Sequence, residues 1–176
     1  MRLEPTEIAQ LFLVEAEPQR DERGSFARTF DDALFAKAGV TFATRQCSTS
    51  FNAARATLRG MHYQAPPGEE TKLVRCTRGA IFDVVVDLRP ASKTFKRWHG
   101  SELTADNLRG LLIPRGCAHG FITLADASEV FYQIDTPFAP DLFRAVRWND
   151  PAFGIAWPLQ PAVITPRDAS LPDFSP

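Results

Sequence analysis

Residues 81–88 alternate strictly: Phe82, Val84, Val86 and Leu88 fall on one side of an extended chain, and Ile81, Asp83, Val85 and Asp87 on the other. A period of two belongs to a β-strand, and here it leaves one uniformly apolar face and one mixed face. Further strand-like segments are Ile8 to Ala16, Arg45 to Phe51, Thr57 to Met61, Lys72 to Cys76, Trp98 to Leu103, Gly110 to Ile113, Gly120 to Leu124 and Val130 to Asp135. The link Thr77-Arg78-Gly79 between Lys72–Cys76 and residues 81–88 reads as a hairpin turn. One helix is expected over Ala33 to Ala38, with Asp31 or Asp32 as its cap and Gly39 at the left-handed position after it. Arg167 to Ser170 can add a single helical turn. Many short strands separated by glycine and proline, without a repeat or a low-complexity run, predict an all-β jelly roll with one or two short helices.

The 176 residues, 44% hydrophobic, suffice for one domain with a full core, so residues 1–176 are expected to form a single unit. The proline-rich segment from Trp157 onward cannot be a regular helix or central strand and is expected to wrap the barrel. Twenty Lys and Arg against twenty-one Asp and Glu give a net charge of −1. That balance supplies no basic field for nucleic acid or a membrane surface, so any anion must be held by local arginines. The apolar run Leu11 to Val14 is too short for a signal or a span, which predicts a cytoplasmic protein. Cys47, Cys76 and Cys117 lack C-x-x-C spacing and are expected to be reduced core residues.

Two histidines sit in the strand-rich stretch, His62 in Gly60-Met61-His62-Tyr63-Gln64 and His119 in Pro114-Arg115-Gly116-Cys117-Ala118-His119-Gly120. Their spacing is that of a cupin-like barrel with polar residues inside it. A buried imidazole without a partner forfeits solvation, so two inward histidines point to chemistry. His62, Lys72, His119 and Tyr132 form the candidate constellation: imidazole titrates near neutrality, tyrosine can return a proton, and lysine can hold charge on an oxygen. Arg59, three residues before His62, is suited to a phosphate. A cupin metal set needs a second histidine where Gln64 stands. His62, Glu70 and His119 would make only a weak site, and no metal is expected.

Six ordered motifs carry a resemblance to a known family: Asp21-Glu22-Arg23-Gly24-Ser25-Phe26, Leu58 to Gln64, Lys72-Leu73-Val74-Arg75, Asp83 to Arg89, Ile113 to Phe121 and Trp148-Asn149-Asp150-Pro151. With Ile155-Ala156-Trp157-Pro158 they span nearly the whole chain, and it resembles the dTDP-4-dehydrorhamnose 3,5-epimerases. The resemblance implies a cofactor-free jelly-roll epimerase, normally a homodimer, acting on a nucleotide-linked 4-keto-6-deoxyhexose. It further implies His62 as base, Asp168 as the carboxylate orienting it, Tyr132 as acid and Lys72 near the ketone oxygen, with His119 in support. Arg23, Phe26, Gln46, Arg59 and Arg167 fall where the family contacts the nucleotide and its phosphates, and Phe138 where a second tyrosine often stands.

A ketone at C4 acidifies the protons on C3 and C5, because removing either leaves an enolate with its charge largely on oxygen. A base on one face, a donor on the other and a cation at the oxygen suffice to invert a carbon without redox chemistry. Three departures bear on specificity. Arg28 replaces a glutamate and Ser48 an asparagine that serve nucleotide recognition, which leaves CDP- and GDP-linked sugars open beside dTDP. Phe138 lacks a hydroxyl, which leaves a mono-epimerase at C3 or C5 open. A 3,4-ketoisomerase of the same fold, a non-catalytic nucleotide-sugar-binding cupin and a metal-dependent cupin oxygenase are the remaining alternatives.

Overall fold

The computed structural model describes residues 1–175. Two antiparallel sheets face each other, and their strands fall into place by the same alternation that marks them in sequence. Strands β1 (Arg2–Pro5), β2 (Phe12–Glu15), β10 (Gly110–Ile113), β7 (Lys72–Arg78), β12 (Ser128–Ile134) and β5 (Gln46–Asn52) form one sheet in that spatial order. The other runs β13 (Phe143–Ala145), β6 (Leu58–Gln64), β11 (Cys117–Thr123), β8 (Ala80–Asp87), β9 (Trp98–Thr104). A detached hairpin of β3 (Gln19–Asp21) and β4 (Gly24–Phe26) and two short helices, α1 (Asp32–Lys37) and α2 (Pro166–Ala169), complete the all-β jelly roll. Asp31 caps α1 by accepting from Leu34 N, and Gly39 follows its end at φ 77°.

Both faces of β8 are buried, which explains its composition. Ile81 and Val85 face the space between the sheets with Val74, Cys76, Leu111, Phe121 and Val130, and this mixed face carries Asp83 inward. The uniformly apolar face points the other way. There Val84 and Val86 join Met61, Ala118, Val146 and Phe153 beneath Ile155, Trp157 and Phe174 of the C-terminal segment. Helix α1 seals part of the outer side of the six-stranded sheet, with Phe35 and Phe42 against Val14, Leu73 and Leu112.

Three sequence expectations change. Strands β7 and β8 do not pair: Gly79, at φ 74°, turns a corner between the two sheets, so Thr77-Arg78-Gly79 is a crossover rather than a hairpin. Residues 8–11 are a turn before β2, because Thr6 Oγ1 accepts from Ile8 N at 3.2 Å and Leu11 N donates to Ile8 O at 3.1 Å. Cys47 is exposed, since β5 turns Gln46, Ser48 and Ser50 inward and the residues between them outward. Cys76 and Cys117 are free and buried, and burial pushes their thiols up to about 11 and about 12.

Candidate active site

One end of the space between the sheets stays open as a cavity of about 520 Å³. The six-stranded sheet contributes Gln46, Ser48 and Ser50 from β5, Lys72 from β7, and Tyr132 and Ile134 from β12. Across the gap stand Arg59, His62 and Gln64 of β6, His119 and Phe121 of β11 and Phe143 of β13. Glu70, Phe138, Thr165, Arg167 and Asp168 come from connecting segments and α2.

Arg59 and His62 are three apart, and in a regular strand they would face opposite ways. The pairing of β6 with β11 sets Phe121 against Arg59 and His119 against His62, so two residues of β6, Gly60 and Met61, oppose Gly120 alone. This bulge absorbs one residue and restores the parity, turning both side chains into the cavity. Only glycine fits its apex: Gly60 has φ 131°, and a Cβ there would lie 2.5 Å from Gly120 Cα. The same register puts the two histidines side by side on one face.

Each histidine is held by a buried carboxylate. His62 Nε2 lies 3.0 Å from Asp168 Oδ1, and Asp168 is 2% exposed. Burial alone would raise the Asp168 carboxyl, but the His62 hydrogen bond and charge, with the Gly60 main chain and Arg167, hold it below the ordinary carboxylate value. His119 Nε2 lies 2.8 Å from Asp83 Oδ2, both groups buried. Its ring meets Tyr132 edge-on at 6.0 Å between centroids. Burial raises the Tyr132 phenol above the usual tyrosine range; Asp83's charge adds to this and Arg59 opposes it. Lys72 Nζ pairs with Glu70 Oε1 at 2.7 Å. Arg59 Nε donates to Asn52 Oδ1 at 2.7 Å, which fixes the guanidinium against the end of β5. The arrangement therefore offers an imidazole on one sheet, a phenol held protonated on the other, and a lysine and two guanidinium groups in the same cavity.

Nine of the eleven residues singled out in sequence line this cavity: Gln46, Arg59, His62, Lys72, His119, Tyr132, Phe138, Arg167 and Asp168. Arg23 and Phe26 do not. They lie on the β3–β4 hairpin, where Phe26 is 74% exposed and Arg23 pairs with Asp21. Arg28 is also elsewhere, bonded to Asp31 at 2.9 Å beside α1. Sequence reasoning gave no site role to Phe143 or Asp83. Phe143 has its ring 5.1 Å from His62 and 4.7 Å beneath the Arg167 guanidinium. It belongs to a three-residue strand with no periodicity to find. Asp83 could have been found, since an acid at a position that alternates with core residues needs a buried partner.

Gln64 acts as a strut: its amide nitrogen donates to Gly68 O at 2.9 Å and its oxygen accepts from Ala139 N at 2.6 Å. Among the described residues no three His, Cys, Asp or Glu side chains are grouped as a metal site. No helix among them is long and apolar enough to cross a membrane.

Comparison with known proteins adds four findings. Residues 5–176 match the family described as dTDP-4-dehydrorhamnose 3,5-epimerase. A relative of that name from Sinorhizobium fredii is 38% identical over 175 residues, covering 99% of this chain and 90% of its own. Among solved structures, the dTDP-4-dehydrorhamnose 3,5-epimerase of Bacillus anthracis, with TDP and pyrophosphate bound, superposes with a TM-score of 0.94 at 38% identity, covering 98% of this chain and 99% of that one. The Legionella pneumophila enzyme in complex with dTDP-4-keto-L-rhamnose gives a TM-score of 0.89 at 32% identity, with 99% of each chain covered.

Proposed function

The chain belongs to the dTDP-4-dehydrorhamnose 3,5-epimerase family, and from that membership we propose that it inverts C3 and C5 of a dTDP-linked 4-keto-6-deoxyhexose in deoxysugar biosynthesis. The observation that carries the reading is the opposition of His62 and Tyr132 across one cavity, from β6 and β12 of different sheets, with Lys72 beside them.

In the tautomer in which Nε2 donates to Asp168, Nδ1 of His62 holds the lone pair that takes the proton from C3 or C5. The electrons of the broken C–H bond move into the enolate, and its charge settles on the C4 oxygen. Lys72 stabilises that oxygen as an ammonium held in place by Glu70. Asp168 stabilises the imidazolium formed at His62. Tyr132 then gives its proton to the opposite face of the carbon, and exchange with solvent returns both groups to their starting states. Proton transfer by a positioned side chain contributes about 10²–10⁴-fold. Arg59, Gln46, Arg167 and Phe138 take the nucleotide and its phosphates at the open side.

The same proposal covers Arg23 and Phe26. If they contact the nucleotide, they must reach it from a second copy of the chain, because the β3–β4 hairpin lies outside its own cavity. A cytoplasmic homodimer in which each hairpin serves the neighbouring site satisfies both expectations.

The test is proton NMR of dTDP-4-keto-6-deoxyglucose in deuterium oxide with the enzyme, following the C3 and C5 signals separately. Loss of both is expected. Loss of one alone makes the enzyme a mono-epimerase. Retention of both, repeated with CDP- and GDP-linked sugars, overturns the reading.

A further inference from the structure

Asp168 reaches His62 from a helix of four residues, α2, which is too short to hold its own shape by helix propensity. What holds it lies on either side. Upstream, Val163 bridges to Thr57, and its carbonyl accepts from Leu58 N at 2.8 Å. That attachment ties the segment to the strand that carries His62. Downstream, the chain has no strand to join and is instead latched by side chains. Asp150, 1% exposed, accepts from Phe174 N at 2.6 Å through Oδ2. The Phe174 ring lies 5.2 Å from Phe153 and 6.3 Å from Phe95, with the Lys96 ammonium 5.5 Å above it. Arg147 donates to Leu171 O at 3.4 Å and pairs with Asp173.

We infer that Phe174, with Asp150 beneath it, is a positioning residue for the reaction, fixing Asp168 against His62 by closing the far end of the strap that carries α2. None of these side chains lines the cavity, so the latch acts through the residues of α2 that do, Asp168 against His62 and, beside it, Arg167. The chemistry explains the need. A carboxylate that orients an imidazole must keep one distance and one angle, and a displacement near 1 Å costs about 10²-fold in rate. A segment tied at one end only would leave Asp168 free to swing toward water, where its charge is better solvated.

The inference rests on the epimerase reading, so its experiment has two parts. In the deuterium-exchange assay, Phe174→Ala is expected to lower kcat about 10–100-fold, with a smaller rise in KM because Arg167 rides on the same helix. Phe174→Leu, which still fills the socket, recovers most of the loss. Phe174→Ala added to Asp168→Asn lowers kcat no further, because both remove the Asp168–His62 interaction. Separately, the Nε2 nitrogen resonance of His62 in the free protein is expected to move in Phe174→Ala toward its position in Asp168→Asn. That readout needs no turnover. An active wild type with Phe174→Ala of equal kcat, a loss that adds to that of Asp168→Asn, or an unmoved His62 resonance each overturns the latch. A wild type without exchange overturns the epimerase reading alone, and the resonance still decides the latch.

Discussion

Tyr132 and His62 are asymmetric in their surroundings, and the asymmetry assigns their proposed roles. The phenol is held protonated by burial and by the nearby Asp83 charge, whereas the imidazole has a buried carboxylate to stabilise its charged form. Removing the phenol oxygen should therefore separate the two halves of the reaction. In Tyr132→Phe, His62 still takes protons, so deuterium continues to enter at C3 from the starting face. Formation of inverted sugar falls by about 10²–10⁴-fold. Equal loss of exchange and inversion would remove Tyr132 as the acid. Away from the cavity, the buried Asp87 carboxylate accepts hydrogen bonds from Arg89, Ser92 and Thr94. Its burial alone would raise it, but Arg89, Ser92, Thr94 and the Arg89 main chain, all bonding to it, bring it down from 3.8 to about 2. A carboxyl depressed on folding stabilises the protein above its unfolded value and loses that contribution as pH falls through the folded one. Asp87→Asn should cost about 2 kcal/mol at neutral pH and flatten the decline in stability between about pH 4 and pH 2. Urea titrations across that range check it.

The element that shapes the site most is the bulge in β6, for it alone lets Arg59 and His62 share a face. Gly60→Ala would place a methyl 2.5 Å from the Gly120 backbone, which no rotamer change relieves. A loss of about 3 kcal/mol is expected, read from the urea midpoint. Any folded fraction should lose activity as the His62 face turns. This bulge also marks where sequence reading stops. The alternation at residues 81–88 makes β8 visible, and Gly110–Ile113 is bounded by its own turn residues, so its limits are those expected. Gly60 and Gly120 are remote in sequence and meet only when the sheet forms, so the expected strand Thr57 to Met61 stops where β6 continues to Gln64. The crossover at Gly79 and the three-residue β13 depend likewise on partners that no local pattern names. His62, His119 and Lys72 were legible because their types are costly to bury without a use, whereas Gln46, Phe138, Arg167 and Asp168 came only from the family resemblance. Phe143 was not legible, since an aromatic residue in a short segment reads as ordinary packing.

At the scale of the whole molecule, the proposed homodimer makes a prediction that a single chain cannot satisfy. His62→Ala lacks the proposed base but keeps its hairpin, whereas Arg23→Ala combined with Phe26→Ala keeps that base but lacks the proposed hairpin contacts. Mixed and allowed to exchange subunits, the two variants form dimers in which one site has both an intact His62 and an intact neighbouring hairpin. Activity at low substrate should rise well above that of either variant alone. No recovery, with dimers present by sedimentation, would place Arg23 and Phe26 outside the reaction. The placement of His62 and Tyr132 on different sheets reaches further than either residue. Facing sheets in a sandwich stand about 10 Å apart, roughly the thickness of a sugar ring with a side chain above and below it. The handedness of the product would then be set by layer spacing: a ring lying flat in that slot is touched from the floor and from the ceiling, and the barrel itself acts as the stereochemical gauge.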